Sequence, residues 1–68
     1  MDQLLTEDEK QRIAETVRDA CVRAALEGYE QAGLAGLCEE GRWEMAVDAI
    51  RSLNVDAILR EVSTESER

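Results

Sequence analysis

Few residues of this chain could carry out chemistry, and their types and spacing limit what that chemistry can be. Cys21 and Cys38 are the two cysteines, they stand far apart, and histidine is absent from all 68 residues. Zinc sites need closely spaced cysteine and histidine ligands, and histidine is the commonest general base. We therefore expect no metal site, and we expect two free, mostly buried thiols.

The adjacent acids Glu39 and Glu40 are the remaining candidates for acid–base catalysis. Acid–base catalysis needs an enclosed cleft that shifts the pKa values of the carboxylates, and so short a chain has little volume to form such a cleft. Cys38, close to Gly41, could be a reactive thiol if a helix end activated it, but a small buried side chain is the stronger expectation. The sequence predicts no catalytic residue, no cofactor and no enzymatic activity.

The charge balance restricts the possible partners. The chain has 16 acidic and 8 basic residues, a net charge of −8. This charge repels phosphate backbones and anionic lipid headgroups, so we expect no direct nucleic-acid binding. No segment reaches the roughly 20 apolar residues of a membrane span, and the first ten residues lack the pattern of a signal peptide. We expect a cytoplasmic protein without membrane contact.

A long first helix is predicted from the start of the chain, and it carries Cys21. Thr6 and Glu9 have the spacing of a capping box, and the chain contains no proline. The helical periodicity continues to Ala32, where Gly33 could provide a left-handed stop. We predict a flexible start over residues 1–5 and a helix over 6–32.

One broad apolar stripe dominates this helix. Three of its members, Ala20, Ala24 and Gly28, are small and stand four residues apart. They form a groove of small side chains that lets another backbone approach closely. The groove could receive the later helices of the same chain, but the width of the stripe favours a second chain on part of it. The predicted interaction residues on or bordering this stripe are Ile13, Val17, Ala20, Cys21, Ala24, Gly28 and Tyr29.

Arg18 and Trp43 complete the predicted interaction surface. Arg18 borders the apolar arc, where its side chain can cover apolar surface or pair with an acid of another chain. Trp43 is predicted to lie in the core against the long helix, near Ala20 to Gly28. The alternative for Trp43 is an exposed anchor for a partner.

The second half of the chain predicts shorter helices. Residues 34–53 are expected to form a helical hairpin that turns at Gly41, and Asn54 can cap a last helix over residues 55–62. The polar residues 63–68 are expected to fray. The predicted fold is all-α, a single small domain over residues 1–68 that associates as a helical-bundle dimer.

Within residues 37–53, a glycine, a tryptophan and a small alanine stand among aliphatic residues, at Leu37, Gly41, Trp43, Ala46, Val47 and Ile50. With these residues the segment resembles the bend between the two helices of a tetratricopeptide repeat. Ala46 takes the small-residue position at which the paired helices approach closely, as the resemblance implies. The chain departs from that pattern at Glu30 and Leu34 and lacks the closing proline, and one repeat cannot form a stacked array.

Two functions remain open at this stage. The first is a non-enzymatic interaction or accessory subunit, a homodimer joined through the long helices and able to serve a larger protein partner. The homodimer is expected because a chain this small rarely forms a sufficient core alone. The second is a small acidic inhibitor or antitoxin that neutralises a basic partner.

Overall fold

Three α-helices account for most of the residues that the structure describes. The computed structural model describes residues 5–66, with side chains described as far as residue 62. Helix α1 runs over Glu7–Leu34, α2 over Glu39–Arg51 and α3 over Val55–Ser66. The prediction of an all-helical fold with a long first helix is confirmed.

The predicted capping box begins α1. The Glu9 amide donates to Thr6 Oγ1 at 3.1 Å, and the Thr6 amide donates to Glu9 Oε1 at 3.0 Å. Both side chains thereby satisfy amides that the first helical turn leaves without partners. Glu7, Asp8 and Glu9 also place negative charge at the positive end of the helix. The predicted flexible residues 1–4 lie outside the described residues, and Leu5 forms a bend.

The end of α1 lies at Leu34, two residues beyond the predicted end, and Gly33 is helical. The left-handed glycine is instead Gly36, with φ of 89°. The Leu37 amide donates to the Ala32 carbonyl, and the Gly36 amide donates to the Gly33 carbonyl, both at 3.0 Å. These two bonds form a Schellman motif, which satisfies the last carbonyls of a helix.

The turn of the hairpin lies before α2, so the prediction that the chain turns at Gly41 is wrong. Helix α2 begins at Glu39 with Cys38 as its N-cap, and Gly41 lies inside its first turn. A Cβ at Gly41 would come within 3.1 Å of Leu37 Cδ2. Gly41 therefore makes room for the side chain that closes the connection.

Asn54 begins α3 as predicted. Its Oδ1 accepts from the Ala57 amide at 3.1 Å, the arrangement of an N-cap side chain. The helical backbone continues through Ser66, beyond the predicted end at residue 62. Residues 63–66, expected to fray, are thus helical in backbone, while 67–68 lie outside the described residues.

The contacts of the chain form two compact units. One unit contains the described residues up to Asp19 and those from Asn54 onward, and Ile58 and Val62 are buried among its described side chains. The other, which we call the hairpin unit, spans Ala20–Leu53 and pairs the second half of α1 with α2. Its buried side chains are two alanines, Ala32 and Ala46.

Candidate interaction surface

The two helices of the hairpin unit approach each other closely at Gly28. A Cβ at this position would lie 2.9 Å from the Met45 carbonyl oxygen, 3.1 Å from Ala49 Cβ and 3.4 Å from Ala46 Cα. Of the two possible occupants of the small-residue groove, the chain's own α2 is the one that contacts Gly28. The absent side chain explains why glycine stands here despite its low helix propensity.

Tyr29, the next residue of α1, joins the two helices through polar and aromatic contacts. Its hydroxyl donates to Glu39 Oε2 at 2.8 Å, and its ring meets Trp43 edge to face with centroids 5.8 Å apart. The Arg42 guanidinium carbon lies 5.9 Å from the centroid of the Tyr29 ring. The Arg42 Nε donates to the Leu37 carbonyl at 3.1 Å, which holds the guanidinium near the turn.

These contacts raise the pKa of the Tyr29 hydroxyl above its ordinary value of 10.0. The hydrogen bond to Glu39 is the largest cause, because it holds the proton on the phenol. Desolvation and the negative charge of Glu39 act in the same direction, while Arg42 opposes them. The arrangement keeps Tyr29 neutral as a hydrogen-bond donor.

Trp43 lies at the flank of the hairpin, so its assignment to the core is wrong. Its side chain remains 60% exposed. The reason is the close approach at Gly28, which directs Ala46 and Ala49 toward α1. At about 100° per residue, Trp43 lies about 60° from Ala46 and about 120° from Ala49 around the helix, and it contacts α1 through the edge-to-face pair with Tyr29.

Apolar side chains on both helices continue the exposed surface around Trp43. Val47 and Ile50 follow it on α2 at helical spacing, and Val22 and Leu26 precede Tyr29 on α1 at the same spacing. The rings of Tyr29 and Trp43 connect the two stripes. We call this set the hairpin face, and its members are Val22 (53% exposed), Leu26 (65%), Tyr29, Trp43, Val47 (45%) and Ile50 (37%).

A shallow groove runs along the α2 side of the hairpin face. Trp43 and Val47 form its apolar part, and Glu44, Asp48 and Arg51 line its edge. Neither Glu44 nor Arg51 makes a salt bridge among the described side chains. The groove therefore presents apolar surface together with charges of both signs.

The other predicted interaction residues are distributed over both units. Ile13 and Val17 are partly buried in the unit that contains the start of α1. Ala20, Cys21 and Ala24 are partly buried in the hairpin unit.

Arg18 is exposed, with its Nε 3.9 Å from the neighbouring Asp19 carboxylate. Its pairing with another chain stays a prediction. The predicted interaction residues did not include Val22, Leu26, Val47 or Ile50, although the helical spacing of all four was visible in the sequence. An apolar stripe on a helix does not reveal which part of the stripe the neighbouring helix will cover.

The cysteines are both free, but only Cys21 is partly buried. Cys38 is exposed, contrary to the expectation of a buried thiol, because it occupies the N-cap position in the connection before α2. Among residues 5–66, no group of three cysteines or acids is arranged to hold a metal ion.

The described helices also include none with the length and apolar character of a membrane span. Comparisons of the chain with protein-family models, with curated proteins and with solved structures find no match. The resemblance to a tetratricopeptide hairpin consequently stays a prediction.

Proposed function

We propose that this protein is a non-enzymatic interaction subunit whose working state is a homodimer. The observation that carries this proposal is the contrast within the hairpin unit between what is buried and what is exposed. Ala32 and Ala46 are its buried residues, while larger apolar side chains such as Leu26 and Trp43 face solvent. A second protein surface would remove that apolar area from water.

The small core gives a thermodynamic reason for permanent association. Burial of apolar area stabilises by roughly 25 cal/mol per Å², so two alanine side chains contribute little against the conformational entropy of ordering the hairpin. Proteins of this length commonly obtain the missing stabilisation from another chain, a metal or disulfides. Association through the hairpin face supports folding and function together, and a larger protein partner could then bind the dimer.

Sedimentation equilibrium at micromolar concentration tests the proposal directly. We expect a mass of twice the 7.6 kDa of the chain. A mass near 7.6 kDa, accompanied by cooperative unfolding, would show that the monomer is stable alone and would contradict self-association.

A second candidate function is a small acidic inhibitor or antitoxin that binds a basic partner. Glu44 and Asp48 favour it, because two carboxylates border the apolar groove that contains Trp43. Binding driven by such charges should weaken steeply between low and high salt. Self-association through apolar burial should persist at high salt, so a salt series of sedimentation runs separates the two functions.

A further inference from the structure

We infer that the groove lined by Trp43, Val47 and the charged residues of α2 is occupied by the α2 helix of a second copy, packed antiparallel about a two-fold axis near Val47. This inference rests on the proposed self-association and specifies its interface. Trp43, Val47 and Ile50 are separated by four and then three residues, which is the spacing of a helical-bundle seam. The exposure of all three side chains leaves this seam uncovered in a single chain.

A two-fold axis near Val47 makes the apolar side chains self-complementary. In an antiparallel pair centred there, each Trp43 lies opposite the partner's Ile50, and the two Val47 side chains meet at the axis. The large tryptophan then faces an aliphatic side chain rather than its own copy. A closed two-fold interface of this type also stops at two chains.

The charges along the groove fit the same axis. Glu44 and Arg51 fall within about 20° of each other on the α2 wheel, on one edge of the seam. They are also centred near Val47, so Glu44 of one chain lies opposite the partner's Arg51, and the reverse pair forms by symmetry. Both residues are exposed and make no salt bridge with the described side chains of their own chain.

This charge pattern distinguishes a second copy from a basic helix as the occupant. A basic partner would gain from Glu44 and Asp48 but would meet Arg51 at the same edge. A second copy pairs Glu44 with Arg51 in both directions, although Asp48 gains no opposite charge and each chain has a net charge of −8. That overall repulsion is screened beyond about 8 Å at physiological salt, whereas the opposed pairs lie within that distance.

Charge reversal with compensation tests the interface. Glu44→Arg alone and Arg51→Glu alone each turn two attractive pairs into two repulsive ones, so each should weaken dimerisation by about tenfold or more. The double variant Glu44→Arg/Arg51→Glu restores opposite charges across the axis. Its dimer dissociation constant, measured by sedimentation equilibrium, should return to within about threefold of the wild-type value.

Matched controls separate local pairing from a change in net charge. Glu27→Arg and Arg23→Glu alter the net charge by the same amounts on exposed residues of α1 that lie off the hairpin face. Each control should shift the dimer dissociation constant by less than about threefold. Emission from Trp43, the single tryptophan, gives a second readout, because dimerisation should move its spectrum to shorter wavelength.

Each result supports or overturns a defined part of the inference. A wild-type dimer that the two reversals weaken no more than the controls do would overturn this interface and leave self-association standing. A folded wild-type monomer across the concentration range would overturn both. If a single reversal unfolds the chain, the double variant must still fold and dimerise, and its failure to do so would also contradict the inference.

Discussion

Tyr29 combines a hydrogen bond, an aromatic contact and a nearby cation, and each responds differently to pH. Its hydroxyl must be protonated to donate to Glu39, while the contact with the Trp43 ring does not depend on the proton. Because the chain contains one tyrosine, its titration can be followed without overlap from another phenol. The side chain therefore reports whether α1 and α2 are correctly paired.

We predict that Tyr29 titrates above its ordinary pKa in the folded protein, because the hydrogen bond to Glu39 favours the neutral phenol. A folded pKa above the unfolded value means that the contact stabilises fully below about pH 10. The stabilisation is then lost as the pH rises through the raised folded pKa. A titration of tyrosinate absorbance measures this shift.

Glu39→Gln should move the titration back toward the ordinary value, since it removes the carboxylate charge at the acceptor. Glu40→Gln is the matched control on the next residue and should leave the titration unchanged. An ordinary pKa in the wild type, or equal effects of the two variants, would show that the Tyr29 to Glu39 bond does not form.

At the scale of the elements, α2 packs against α1 differently at the two glycines inside α1. Gly28 and Gly33 both lie inside α1, but different atoms face them. At Gly28 the nearest atom is the backbone oxygen of Met45, which cannot move without shifting α2. At Gly33 the nearest atoms belong to the Arg42 side chain, 3.3 Å from the point that a Cβ would occupy, and this side chain can adjust.

We predict that Gly28→Ala destabilises the protein by about 1–2 kcal/mol, because overpacking outweighs the gain in helix propensity. Gly33→Ala is the control with the same chemical change in the same helix, and it should be neutral or stabilising by up to about 1 kcal/mol. Urea unfolding followed by circular dichroism measures both. Stabilisation by Gly28→Ala would mean that α2 does not approach α1 at this residue.

For the whole molecule, the proposed dimer links stability to protein concentration. A partner that binds the folded chain stabilises it by mass action, so the thermal midpoint should rise with concentration. Trp43 is the largest exposed apolar side chain of the hairpin face and should contribute strongly to that dependence.

We predict that Trp43→Ala removes the concentration dependence of the thermal midpoint and weakens dimerisation by about 2 kcal/mol or more. Leu34→Ala is the control, since Leu34 is 83% exposed but lies outside the hairpin face, and the dependence should remain. Calorimetry over a range of protein concentrations measures the thermal midpoint of the wild type and of both variants. If Trp43→Ala instead lowers the thermal midpoint by the same amount at every protein concentration, the tryptophan belongs to the core of the monomer.

Local signals in the sequence determined where two helices begin. The Thr6 and Glu9 capping box and the Asn54 cap each require residues only three positions apart, so their chemistry is visible without a fold. The absence of proline and the unbroken periodicity likewise predicted an all-helical chain with a long first helix. The sequence also showed the apolar stripes from which the hairpin face is built.

Tertiary contacts decided which glycine makes the turn and which side of each helix is covered. Gly33, Gly36 and Gly41 are equally permissive in the sequence, but of these three Gly36 has the left-handed conformation. Trp43 became exposed because Gly28 admits the α2 backbone and turns the small side chain of Ala46 inward. Periodicity specifies a stripe on one helix, whereas burial depends on where the neighbouring helix lies, and that is fixed only by contacts between residues distant in the chain.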